Sequence, residues 1–201
     1  MGNKEKFERR LIEVRAAKTD DDGMSIEGYA IIFNKPATHK SFNRKFTEVV
    51  NSDALDKTDM KDVPLRYNHN DNVMIMARTR NKSLRLIKDK KGLKIEADLL
   101  DTQSNRDLYK AIQEGLIDKM SFAFNIAEGG DTWTFKDDET IREVKNIEKL
   151  WDVSVVDTPF YDSTSIYARS LELLDSEERR LDSLHEQELL KLKIKLKGEV
   201  N

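Results

Sequence analysis

Ser121 heads an apolar run, Ser121-Phe122-Ala123-Phe124, that follows Gly115-Leu116-Ile117-Asp118-Lys119-Met120. The stretch reads as a helix stop, a connector and a strand. A nucleophilic serine needs such a placement, fixed by a packed strand with its oxygen aimed at a cleft, and it does nothing without a base. The sequence holds three histidines, His39, His69 and His185. His69 is the best base candidate, because Asn68, Asn70, Asp71 and Asn72 are turn formers that put its imidazole at a strand end. Downstream, Leu150-Trp151-Asp152-Val153-Ser154-Val155-Val156 carries a carboxylate inside an apolar strand. A carboxylate there is costly unless paired, and an imidazole N–H is a fitting partner. Each residue also has a plainer reading. Ser121 can be a polar strand-edge residue and His69 a loop histidine bonded to backbone. Asp152 can lie on an exposed face with Trp151, Val153 and Val155 turned inward. Local spacing leaves both readings open.

The elements that must position these residues are legible as patterns. Leu11, Ile12 and Val14 suggest a first strand, Thr19 to Gly23 a turn, and Met24 to Asn34 a strong strand. Lys35 to His39 opens a loop that leaves His39 at the surface. Phe46 to Val50 is a short strand, and Pro64 before Leu65-Arg66-Tyr67 fits the start of an edge strand. Val73 to Ala77 is strand-like, and Arg78-Thr79-Arg80-Asn81 is a basic turn, either solvated charge or an aid to an oxyanion. Ser83 to Ile87 and Leu93 to Leu99 read as a hairpin, the second with one buried face. Thr102 to Glu114 is a helix, with Ser104 to Asp107 resembling a capping box and Gly115 as its stop. Trp133 to Phe135 and Thr140 to Val144 suggest another hairpin, across Lys136-Asp137-Asp138-Glu139. Leu150 to Val156 reads as a buried strand in which Asp152 shares a face with Leu150, Ser154 and Val156, and Thr158-Pro159 ends it. Ser170 to Lys197 reads as one long helix with a ragged stripe of Leu171, Leu174, Leu181, His185, Leu189, Leu192 and Leu196. Acidic residues near its start and lysines near its end match the helix dipole.

Composition narrows the function classes. A chain of 201 residues suits one domain with an appendage. No cysteine is present, so disulfides and thiolate chemistry are excluded. No two histidines have zinc-motif spacing, so neither a metal nor a cofactor is expected. A net charge of -3, with lysines and arginines dispersed, gives no footprint for nucleic acid. There is no bilayer-length apolar run and no signal-peptide pattern at the start, so no membrane partner is expected and the protein should be soluble and intracellular.

Five ordered segments carry a resemblance to a known family. They are Gly28 to Asn34, Asn68-His69-Asn70-Asp71, Gly92 to Ala97, Gly115 to Phe122, and Leu150 to Pro159. In this order they resemble the tailed-bacteriophage prohead (capsid maturation) proteases, relatives of the herpesvirus assemblins, over about residues 10 to 168. Two departures stand out. Asp152 stands where the family usually has Glu, and Asn70 follows His69, with Asp71 one step later. The resemblance implies an α+β fold with a mostly antiparallel, barrel-like β core, one to three flanking helices and a C-terminal helix. The pattern of strands by itself gives only a β-rich domain. The resemblance implies a protease domain over residues 1–168, and the change of composition after about residue 168 sets off 169–201 as a helical tail. The implied activity is that of a serine endopeptidase cleaving scaffold, capsid-protein extensions and itself inside the immature capsid, in the host cytoplasm. Ser121 would be the nucleophile, His69 the general base and then acid, and Asp152 the orienting carboxylate, with backbone N–H groups on the oxyanion. Asp71, Glu96 and Glu143 are alternative carboxylates. The implied partners are the major capsid protein, the scaffold and further copies of the chain. The alternative is a non-enzymatic assembly protein that only binds capsid or scaffold.

Overall fold

The computed structural model describes residues 8–16, 23–41, 44–136, 139–157, 179–189 and 191. The turn expected from Thr19, the hairpin tip at 137–138, the Thr158-Pro159 stop and most of the ends of the expected tail helix lie outside the described residues. The chain divides into two compact units, residues 1–161 and 162–201.

Strands dominate the first unit: β1 (Glu8–Ala16), β2 (Ser25–Ile32), β3 (Ala37–Ser41), β4 (Arg44–Val50), β5 (Pro64–Tyr67), β6 (Ala77–Arg78), β7 (Leu84–Lys88), β8 (Gly92–Asp98), β9 (Lys119–Ile126), β10 (Asp131–Lys136), β11 (Glu139–Val144) and β12 (Ile147–Val156). They form an eight-stranded sheet in the order β6-β5-β12-β9-β1-β2-β8-β7 and a four-stranded sheet in the order β10-β11-β4-β3. The pairs β5–β12 and β4–β11 are parallel, and the hairpins and the β12–β9–β1–β2–β8 run are antiparallel. The fold is therefore α+β and mostly antiparallel, but both sheets are open rather than closed into the expected barrel. The reason lies at the β6 margin. Val73 to Ala77 yields strand only at its last residue, because residues 68–76 form turns, bends and irregular chain. A two-residue margin is too short to carry the ladder onward. Two further expectations change. β5 is not an edge strand, since β6 lies outside it, and His39 is on β3 opposite Phe46 rather than in a loop.

Helix α1 (Gln103–Gln113) starts two residues earlier than a box at Ser104 would place it. Thr102 is its N-cap, with the side chain accepting from the Asn105 N–H at 3.3 Å. Asn105 is buried and its side-chain amide donates to the Leu100 carbonyl at 2.8 Å. At the other end Gly115 adopts φ 69°. Its N–H donates to the Ile112 carbonyl and the Leu116 N–H to the Ala111 carbonyl, the paired bonds of a Schellman stop. Lys119 then enters β9 directly, so the helix stop sets where β9 begins.

The apolar core gathers Leu65, Leu93, Ile95, Ile112, Phe122, Phe124, Leu150, Val153 and Val155 into one cluster. In the second unit residues 179–189 are helical, and Leu181, Leu184 and Leu189 are exposed. No helix among the described residues is long and apolar enough to cross a membrane.

Candidate active site

β9 has two distinct faces. Met120, Phe122, Phe124 and Ile126 alternate with Ser121, Ala123 and Asn125. On β12 their opposite partners are Val155, Val153, Leu150 and Ile147 for the first set, and Ser154, Asp152 and Lys149 for the second. Opposite residues of an antiparallel pair share a face. One face is thus wholly apolar, and the other brings Ser121, Ala123, Asp152 and Ser154 together. The separation depends on register shifts, one of which makes Trp151 an extra residue between Leu150 and Asp152. A β-bulge of this kind re-aims the side chains that follow. Leu150 consequently sits on the core face and Asp152 on the other, which corrects the expectation that simple alternation keeps them together.

β5 runs parallel to β12 on the side away from β9, with Arg66 beside Ser154. The chain then turns sharply. Asn68 and His69 both have φ 52°, a left-handed conformation that costs a non-glycine residue roughly 1–2 kcal/mol. Several bonds hold it. The Asn68 N–H donates to the Val155 carbonyl at 2.9 Å and the Asn70 N–H to the Tyr67 carbonyl at 3.0 Å. The Asn68 side-chain oxygen accepts from the Asp157 N–H at 3.2 Å. The Arg66 guanidinium donates to the Asn70 carbonyl at 3.3 Å and pairs with Asp71 at 3.0 Å. The His69 N–H donates to Ser154 Oγ at 3.2 Å.

The turn delivers the imidazole to the polar face. His69 Nδ1 lies 2.6 Å from Asp152 Oδ1 and 3.1 Å from Ser154 Oγ. Ser154 Oγ donates to Asp152 Oδ1 at 2.9 Å. His69, Asp152, Ser154 and Ser121 are all buried. Ser121 lies directly across from Ser154 on β9, a spacing of about 4.5–5.5 Å between Cβ atoms. No hydrogen bond of the Ser121 hydroxyl occurs among the described residues, so the serine and the imidazole are neighbours across one strand rather than a bonded pair.

The other candidates sit elsewhere. His185 is exposed on the 179–189 helix. The Asp71 side chain, 84% exposed, pairs with Arg66. Glu96 pairs with Lys94 at 2.7 Å and Arg85 at 3.3 Å, and Glu143 with Lys145 at 3.4 Å. Arg78 of the basic turn forks onto Asp62, and Arg80 lies 3.6 Å from the same carboxylate, so this turn is paired charge. The sequence alone assigns Ser154 no role. The signal was present: Asp-x-Ser inside a strand puts both side chains on one face.

A family model described as caudovirus prohead serine protease matches residues 10–177. The chain belongs to this family. It is a serine protease, a hydrolase of the kind that serves phage capsid maturation. No curated protein and no solved structure matches the protease significantly. Within the family span lie the buried Ser121 and Asp152, on one face of β9 and β12, and the buried His69, on the turn after β5.

Proposed function

We propose that the protease is an endopeptidase of the immature capsid, with Ser121 as nucleophile, His69 as general base and acid, and Asp152 as the carboxylate that orients the imidazole. The observation that carries this reading is the buried 2.6 Å hydrogen bond between His69 Nδ1 and Asp152 Oδ1, one strand away from Ser121. An ionised Asp152 only accepts, so Nδ1 holds the proton and the basic lone pair is on Nε2. Ser121 Oγ bonds to the scissile carbonyl carbon as its proton passes to Nε2. That proton then goes to the leaving amine, and water releases the acyl group by the same route in reverse. The serine–imidazole bond forms on substrate binding, since such contacts are commonly long in the unliganded enzyme and tighten in the complex. Substrates are the scaffold, extensions of the major capsid protein and the chain itself, cut inside the prohead in the host cytoplasm, with the protease self-associated there.

The test is co-expression with the neighbouring capsid protein, with and without Ser121→Ala, followed by mass spectrometry of the fragments. Loss of the nucleophile should lower turnover by a factor of roughly a million, which abolishes processing. Folded Ser121→Ala protein that still processes the capsid protein would refute the assignment.

A further inference from the structure

We propose that Ser154 is a positioning residue of the active site, locking His69 and Asp152 into one geometry through a single hydroxyl. The inference rests on the roles just given to His69 and Asp152 and deepens them. Ser154 is fully buried, at 0% exposure, and its oxygen stands at the centre of the polar cluster. It accepts the backbone N–H of His69 at 3.2 Å and donates to Asp152 Oδ1 at 2.9 Å. It is also 3.1 Å from His69 Nδ1. These contacts do different work. The bond from the His69 N–H anchors the left-handed turn that aims the imidazole. The bond to Asp152 helps to solvate a buried carboxylate, whose hydrogen-bond donors among the described residues are His69 and Ser154. Buried charge is tolerated only when its lone pairs are met. With one donor removed, Asp152 holds the imidazole alone, and the turn loses an anchor at its second left-handed residue.

The same geometry separates Ser154 from the nucleophile. The proton of Ser154 is committed to Asp152, and the imidazole nitrogen within its reach is Nδ1, already bound by that carboxylate. Ser121, directly opposite, has no such commitment among the described residues. On the roles proposed above, the base that serves Ser121 acts through Nε2, while Ser154 is engaged with Nδ1 and Asp152.

The experiment compares wild type, Ser154→Ala, Ser154→Thr, Ser154→Cys and His69→Ala on a peptide from the capsid-protein cleavage site, with fluorophosphonate labelling mapped by mass spectrometry. Ser154→Ala should lower kcat by about tenfold to a hundredfold with KM little changed, the scale of a small misplacement of reacting groups. It should also displace the acid limb of the pH–rate profile and move or broaden the His69 Nδ1 proton resonance. Ser154→Thr, which keeps the hydroxyl and suits a strand, should recover much of the loss. Label should appear on Ser121 in every folded Ser154 variant. A wild-type rate and pH profile in Ser154→Ala, with His69→Ala inactive, would overturn the positioning role alone. An active His69→Ala enzyme would overturn the underlying assignment, and label on Ser154 would overturn both. If Ser154→Ala cannot be purified folded, Ser154→Cys is read by the same criteria, and a wild-type profile there overturns the role.

Discussion

Asp152 shows how one carboxylate can be worth its burial. It is 4% exposed, within the largely apolar run from Leu150 to Val156, and meets a histidine and a serine hydroxyl on one oxygen. Removing its charge while keeping its shape leaves His69 with a weaker acceptor and no counter-charge as the imidazole takes up a proton. Asp152→Asn is therefore expected to be strongly impaired, though less than Ser121→Ala, since an orienting carboxylate contributes less than the nucleophile. Asp152→Glu should retain part of the activity, because it keeps the negative charge that His69 is paired with. Steady-state rates on the same peptide check both, and a wild-type rate in Asp152→Asn would move the orienting role to another group. Activity should rise with pH as the general base loses its proton.

Among the elements, the β7–β8–β2 margin carries a ladder of surface charge. Lys94 bridges Glu96 at 2.7 Å and Glu27 at 3.0 Å, and Arg85 reaches Asp98 at 2.6 Å. The bond from Lys94 is the main cause of the lowered pKa of both glutamates, and the bond from Arg85 does the same for Asp98. A carboxyl whose pKa is lower in the folded state stabilises the fold above its unfolded pKa. That contribution is lost as pH falls through the folded value. Because the pairs are partly exposed, each is worth little and is screened by salt. Glu96→Gln is expected to lower the thermal midpoint by roughly 1–3 °C at neutral pH and low salt. The difference from wild type should vanish in acid, once pH has fallen through the lowered folded-state pKa of Glu96, and it should shrink in high salt, which screens the pair. A difference that persists in acid would mean that the side chain acts by packing rather than charge. Scanning calorimetry across pH reads all of this.

At the scale of the whole molecule, the sheets and the C-terminal helix fall in separate compact units. We propose that residues 169–201 form a helical tail, dispensable for the fold of the protease domain over residues 1–168 but needed for self-association or packaging into proheads. The exposed Leu181, Leu184 and Leu189 supply the apolar surface for such an association. Interruption of the stripe by His185 keeps any coiled coil weak. A chain ending near Ala168 should keep its strand-rich circular dichroism, sediment as a smaller species and enter proheads less well. An unfolded truncated protein would make the stripe part of the core. One that folds, associates and packages normally would leave the tail neither role.

Much of this molecule follows from its sequence, because the forces concerned are local. Gly115 can take φ 69° where other residues resist it, so the end of α1 and the start of β9 are legible. The hairpins at β7–β8 and β10–β11 follow from alternation and turn residues, and a carboxylate within the largely apolar run Leu150 to Val156 marks Asp152 from the sequence alone. What required the tertiary structure is whatever depends on pairing between distant segments. His69 and Asp152 are 83 residues apart, and only the parallel β5–β12 ladder and two left-handed residues bring them together. The bulge at Trp151 decides which face Asp152 occupies, and alternation is blind to it, since one inserted residue inverts everything downstream. Whether the large sheet closes depends on how many ladder bonds β6 has to offer, and its residue types do not reveal that the preceding turns leave it only Ala77 and Arg78. The role of Ser154 was hidden for the same reason: a serine in a strand reads as filler until its hydroxyl is seen between a backbone N–H and a carboxylate that come from different strands.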